Sequence, residues 1–233
     1  ETSLIYCTDA DTIINKKYIE TVKVFFKNNN AKAAMVGFKH LKSQDKELNK
    51  AITQYEKYLN FTANSLRNVG SPYGYISMGS TMVCTVRAYC AVGGMPQKKA
   101  TEDFYFLQEL SKYCKVHIIK DILVNPSPRP ISRVYLGTGF RMQQVKNGFD
   151  INSLYYSQSA FNLLSKWIKL GSQAWKIDLS KIREEIIIID PDLLNYLLKQ
   201  GLENIWPKIQ GNAPTKQHFT NQFHRWFDGL KTI

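Results

Sequence analysis

Ser3-Leu-Ile-Tyr-Cys7-Thr8-Asp9-Ala-Asp11-Thr12 decides how the rest of the chain is read. Leu4 to Cys7 is a short apolar run with β-branched and aromatic character, which predicts a buried strand. The run stops at two carboxylates one residue apart. In open α/β sheets ligands gather at the carboxyl ends of strands. An Asp-x-Asp placed there can hold a divalent cation, with substrate phosphates completing its shell. Asp also belongs in the turn that ends a strand, so the pair takes its meaning from motifs further along the chain.

Outward from this stretch, helix and strand patterns alternate. Thr12 or Asn15 can cap a helix bearing Tyr18, Val22, Phe25 and Phe26 on one face, ended by Asn28-Asn-Asn. Ala33 to His40 reads as a strand, and Gln44 to Arg67 as a long helix. Tyr75 to Val86 reads as a strand region interrupted at Gly79-Ser80, where a glycine predicts a bulge or a close backbone approach. Arg87 to Val92 is a short helix stopped by Gly93-Gly94. Thr101 is placed to cap an amphipathic helix with Phe104, Leu107, Leu110 and Cys114 at helical spacing. Its first turn carries Glu102 and Asp103, which complement the helix dipole.

Val116 to Ile119 and Ile122 to Val124 come next as strand segments, then a proline-rich, basic connector through Arg129 and Arg133. Gly137-Thr-Gly139-Phe-Arg141 reads as a small-residue loop beside arginines. Helical stretches are expected over 151–170, 191–202 and 215–230, with Asp190-Pro191 as a helix start. A boundary near Gly148 divides an α/β part, 1–147, from a helical C-terminal extension, 148–233.

With 233 residues, 44% hydrophobic and 21% charged, the chain can bury a sizeable core. No apolar run reaches bilayer length; the densest, Ile186 to Ile189, is far too short. The four cysteines, Cys7, Cys84, Cys90 and Cys114, lack metal-ligand spacing and lie in apolar runs. They read as buried free thiols of a reducing, cytoplasmic compartment. The net charge of +12 is spread along the chain without a nucleic-acid motif. It points to phosphate-bearing substrates or peripheral contact with the inner face of a membrane, and no nucleic acid is expected. The four histidines form no metal-ligand pattern, and His117 reads as a core or edge residue.

The order of features resembles the second half of a family 2 glycosyltransferase of the GT-A fold: Asp9-Ala-Asp11 at a strand end, Gly79-Ser80, Gly93-Gly94, then Thr101-Glu102-Asp103. The resemblance covers roughly residues 3 to 141. It implies an α/β fold with a mixed sheet flanked by helices. It also implies that the N-terminal nucleotide-binding half is missing, leaving Leu4–Cys7 as a strand edge open to pairing. The chain reads as a fragment, either inactive alone or working only when completed.

In that family Asp9 and Asp11 would hold Mg²⁺ or Mn²⁺ on a nucleotide-diphosphate sugar. Asp103 would act as general base, with Glu102 beside it. The acceptor would be a saccharide, a lipid-linked molecule or a protein, in inverting transfer as used in polysaccharide biosynthesis. Gly79 and Ser80, and a loop of Arg129, Arg133, Gly137, Gly139 and Arg141, are the expected substrate contacts. Gln222-Phe-His-Arg225-Trp226 reproduces the Gln-x-x-Arg-Trp motif of processive synthases, but it lies far behind Thr101-Glu102-Asp103. It reads instead as a helix packing Trp226 and Phe227. A nucleotidyltransferase and a non-catalytic basic binding module are the rival functions.

Overall fold

A computed structural model describes residues 3–130 and 135–232. The chain divides into two compact units. One comprises 1–64 and 75–155, the other 65–74 and 156–233.

The first unit is built on a mixed sheet of five strands among the described residues. They are β1 (Leu4–Tyr6), β2 (Ile13–Ile14), β3 (Ala33–Phe38), β4 (Met82–Thr85) and β5 (Val116–Asn125), in the order β1-β4-β3-β5-β2. β4 runs antiparallel to both β1 and β3, and β3 runs parallel to β5. β1, β3 and β5 therefore end on the same side, where β4 begins. β1 lies at one edge of this sheet and β2 at the other. The residues between them cross over the strand ends, with a turn from the Asp9 carbonyl to the Thr12 N–H. In a flat sheet four strand spacings come to about 19 Å. Six residues reach at most about 21 Å when fully extended. A link with a turn in it needs the sheet to curl, bringing its two edges together above the strand ends.

Two helices match the expected pattern closely. Helix α1 (Tyr18–Asn29) buries Tyr18, Val22 and Phe26, and Asn30 stops it in the left-handed conformation. Its cap differs from the expectation: Lys17 holds the N-cap position, and Asn15 instead accepts the Lys17 N–H at 2.9 Å. The buried face of α1 packs on Ala34 and Val36 of β3, Val83 of β4 and Leu123 and Val124 of β5. Ala33 and Met35, on the opposite face of β3, are buried as well, so both faces of this strand are covered. Helix α2 (Lys46–Asn68) starts at Asp45, whose carboxylate accepts the N–H groups of Glu47 and Leu48.

Four local expectations are corrected. The region 75–86 is a strand only over β4; Gly79–Thr81 forms a 3₁₀ turn leading into it. The two segments after residue 116 are one strand, β5, whose pairing with β3 slips on either side of Gly37. A Cβ at Gly37 would come within 2.6 Å of the carbonyl oxygens of Lys120 and Asp121, so glycine is what lets β5 bulge here. Helix α3 (Val86–Ala91), capped by the Thr85 hydroxyl, leaves Cys90 exposed, and only Cys84 of the four thiols is fully buried. Helix α4 (Glu102–Tyr113) does start after Thr101, but that residue is left-handed, at φ +66°, and gives no side-chain cap. Its hydroxyl donates to the Ala100 carbonyl instead.

Helix α5 (Gly137–Lys146) occupies the stretch read as a loop, a further correction. Met142 and Val145 on α5 pack with Leu48, Ala51 and Ile52 of α2. That contact converts a glycine-rich stretch of low helix propensity into a helix.

The second unit is helical. It holds α6 (Gln158–Gln173), α7 (Leu179–Ile189), α8 (Pro191–Lys199), α9 (Leu202–Gly211), α10 (Lys216–Trp226) and α11 (Gly229–Thr232). Asp178 caps α7 and Asp190 caps α8, the latter with Pro191 in the first turn. Trp167 and Trp206 are fully buried in its core, packed with Phe219 and Phe223. Trp226 and Phe227 join the same core as expected, and the Trp226 indole donates to the Gln200 carbonyl at 3.2 Å. Among the described residues no helix is long and apolar enough to cross a membrane.

Candidate functional site

Where β1, β3 and β5 end and β4 begins, the first unit opens into a cavity of about 580 Å³. Asp9 and Asp11 reach it from the link after β1, and His40 from the end of β3. Gly79 and Ser80 come from the turn before β4, and Arg129 from the connector after β5. Asp103 enters from the first turn of α4. This is the place the sheet topology reserves for a ligand. Glu102 and Arg141 are not on the cavity wall. Arg141 donates to Gln144 at 2.7 Å and lies over the rings of Phe140 and Phe149. Arg133 lies outside the described residues.

Asp9 is held by a relay of hydroxyls. The buried Ser80 donates its hydroxyl to Asp9 Oδ2 at 2.5 Å. Ser80 has one proton to give, so the Thr12 hydroxyl, 2.8 Å away, is the donor to Ser80. Ser80 thus acts on Asp9 as a support. Gly79 lies beside the same carboxylate, where a Cβ would stand 3.5 Å from Oδ1, an ordinary contact. Asp11 carries a different partner. Its Oδ2 accepts from Arg129 Nη2 at 2.5 Å, in a pair that is 37% exposed on the Asp side and 57% on the Arg side.

Asp103 resolves a competition left open by its sequence. A helix N-terminus favours the ionised carboxylate, whereas burial opposes it. Burial is the stronger influence and raises the Asp103 carboxyl above its ordinary value. The Phe104 N–H, donating at 2.7 Å, pulls the other way, and the charges of Glu102 and Asp9 add to the rise. A carboxylate with raised basicity beside an open cavity suits the removal of a proton. Thr101, held left-handed just before it, is a strained position of the kind that gathers at functional sites.

The start of α5 lies where the sequence predicts an arginine loop. Gly137, Thr138 and Gly139 form its first turn on the cavity wall. The first N–H groups of a helix lack intrahelical partners and favour an anion. Two glycines there leave the backbone uncovered.

Among the described residues no three His, Cys, Asp or Glu side chains converge to cage a metal ion. The two carboxylates of the link are nonetheless compatible with a divalent cation that takes its remaining ligands from a diphosphate and water. Asp9 is oriented by a hydroxyl relay, and Asp11 already draws a positive group, the Arg129 guanidinium.

Among the cavity residues that escaped the sequence reading are His40 and Tyr55. His40 stands just beyond β3, a strand end like that of Asp9, and that position was its signal. Tyr55 comes from the middle of α2, and nothing in its local sequence separates it from Tyr58 or Leu59.

No protein-family model matches the chain, and no curated protein matches it. A search of solved structures finds S. aureus TarS, residues 1–349, in complex with UDP-GlcNAc, at 12% identity and a TM-score of 0.42. The match covers 97% of this chain and 66% of that one. At that score the likeness assigns no residue a role.

Proposed function

We propose that the first unit is the catalytic part of a metal-dependent glycosyltransferase that moves a sugar from a nucleotide-diphosphate donor to an acceptor hydroxyl with inversion. One observation carries this reading: Asp9 and Asp11, from the link after β1, and Asp103, from α4, line one cavity at the carboxyl ends of the strands. Asp9 and Asp11 would hold Mg²⁺ or Mn²⁺, which when bound neutralises charge on the departing diphosphate.

The chain's own groups do the rest. The bare first turn of α5 receives phosphate oxygens, and Arg129, once off Asp11, offers its forked donors to them. Asp103 takes the proton of the acceptor hydroxyl as that oxygen bonds to the anomeric carbon. The bond from that carbon to the diphosphate oxygen breaks in the same displacement, and the electron pair leaves with the diphosphate. The surplus of basic residues, +12 overall, favours phosphate-bearing substrates and an anionic membrane face.

Isothermal titration of Mn²⁺ with a panel of UDP- and GDP-sugars tests the reading on wild type and Asp11→Ala. Weaker binding by the variant supports it; equal binding by both removes the metal from the site. Release of pyrophosphate would favour a nucleotidyltransferase instead.

A further inference from the structure

Two polar side chains line the cavity from neighbouring elements, Tyr55 from α2 and His40 from just beyond β3. Tyr55 lines the cavity and is 8% exposed. Burial pushes that phenol up to about 12, against the lowering effect of Arg141 and with smaller rises from Tyr58 and Asp103. It stays protonated and can both donate and accept a hydrogen bond.

His40 lines the same cavity, with its side chain 1% exposed. Its Nδ1 and its backbone N–H each lie 2.8 Å from Glu56 Oε1. Burial alone would raise the Glu56 carboxyl. The two hydrogen bonds from His40, with the charge of Lys39, outweigh that effect and hold it below its ordinary value. Glu56 is therefore an acceptor, and the Nδ1 of His40 carries a proton. Phe38 meets the ring edge-on, with centroids 5.5 Å apart. The imidazole is fixed from two sides, and its remaining nitrogen, Nε2, is buried with no partner.

Buried polar atoms are nearly always paired, and an exception asks for a reason. Here one exception, His40 Nε2, belongs to a residue of the cavity wall that Tyr55 also lines. An aromatic hydroxyl and an imidazole nitrogen with its proton fixed on the far side suit a ligand that presents several hydroxyls. They offer nothing specific to phosphate.

Building on the nucleotide-sugar reading above, we propose that Tyr55 and His40, the latter positioned by Glu56, form a subsite that hydrogen-bonds the hydroxyls of a sugar ring. Tyr55 gives and takes one hydrogen bond there, and His40 Nε2 accepts another. The ring is either the sugar of the donor or that of the acceptor.

The test compares wild type, Tyr55→Phe, His40→Ala and His40→Gln, with thermal melting as the folding control. Calorimetry in Mn²⁺ measures UDP and GDP against the matching nucleotide sugars. Saturation-transfer NMR measures free glucose, galactose, mannose and N-acetylglucosamine in the presence of the nucleotide diphosphate. If the ring is the donor's, Tyr55→Phe and His40→Ala each weaken the nucleotide sugar roughly 3- to 10-fold and leave the bare diphosphate unchanged. If it is the acceptor's, the nucleotide sugar is unaffected and saturation transfer to a free monosaccharide is lost. In both cases His40→Gln, which keeps an acceptor oxygen, recovers part of the loss.

Variants that bind every probe as wild type does, or that lose diphosphate and nucleotide sugar equally, overturn the subsite. So does a wild type that binds neither nucleotide sugars nor monosaccharides. A wild type that binds a monosaccharide through Tyr55 but no nucleotide keeps the subsite and removes the glycosyltransferase reading.

Discussion

Arg129 Nη2 lies 2.5 Å from Asp11 Oδ2, joining residues 118 positions apart at the mouth of the cavity. The guanidinium occupies the carboxylate that a cation would use. Both partners are substantially exposed, so the pair contributes at most about 1 kcal/mol. Arg129→Ala should therefore tighten Mn²⁺ binding without nucleotide, by no more than about fivefold. It should weaken binding of the nucleotide diphosphate in the presence of Mn²⁺. Calorimetry with and without UDP or GDP reads both effects. A variant that binds Mn²⁺ alone less well would show that Arg129 does not compete with the ion.

Asp103→Asn separates activity from stability. Loss of a general base should lower transfer by roughly 10²- to 10⁴-fold. The same change should not destabilise the fold at neutral pH. The wild-type carboxyl is raised, so its charged form is the disfavoured one in the folded chain, and stability falls as pH rises through that raised value. Asparagine removes that cost and keeps an oxygen for the Phe104 N–H. Denaturant melts at pH 7 should show equal or greater stability for the variant. The acid limb of the wild-type rate should lie above the ordinary Asp value of 3.8.

Gly37→Ala tests the bulge that leads β5 to Pro126 and Arg129. The new methyl would meet backbone oxygens at 2.6 Å, and backbone cannot turn aside as a side chain can. A loss of about 1–3 kcal/mol is expected, seen as an earlier far-UV circular dichroism transition in urea. An unchanged midpoint would mean that the strands part there without cost.

His224 should make the second unit acid-sensitive. Burial pulls its imidazole from 6.5 down to about 4, while in the unfolded chain it takes up a proton near 6.5. The unfolded state binds more protons between those values, so stability falls as pH drops from about 6.5 to about 4. The slope is at most about 1.4 kcal/mol per pH unit. All four tryptophans, Trp167, Trp175, Trp206 and Trp226, lie in this unit, so their fluorescence reports on it. His224→Gln should flatten the decline; a variant as acid-sensitive as wild type would place the cause elsewhere.

Local chemistry made part of this legible. Asp9 and Asp11 stand out because an apolar run breaks on two carboxylates, and helix α1 because Tyr18, Val22 and Phe26 recur on one side. Where the partner is remote, the sequence was silent or misleading. Gly137 and Gly139 argue for a loop, and only the packing of Met142 and Val145 against α2 makes the stretch helical. Gly37 looks like any glycine in a strand until Lys120 and Asp121 are placed against it. Thr101 carries the side chain of a cap, yet its backbone turns the other way. Tyr55 and His40 gain their meaning from the cavity that tertiary folding closes around them.

The link from Cys7 to Ile13 also has a mechanical side. It works like a drawstring, tethering the first strand at one rim to the second strand at the other and passing over the opening with its two acids at the middle. A molecule that clasps those acids pulls on both rims at once. Binding there should therefore protect the two outermost strands together, read as slower exchange of the amide protons of both.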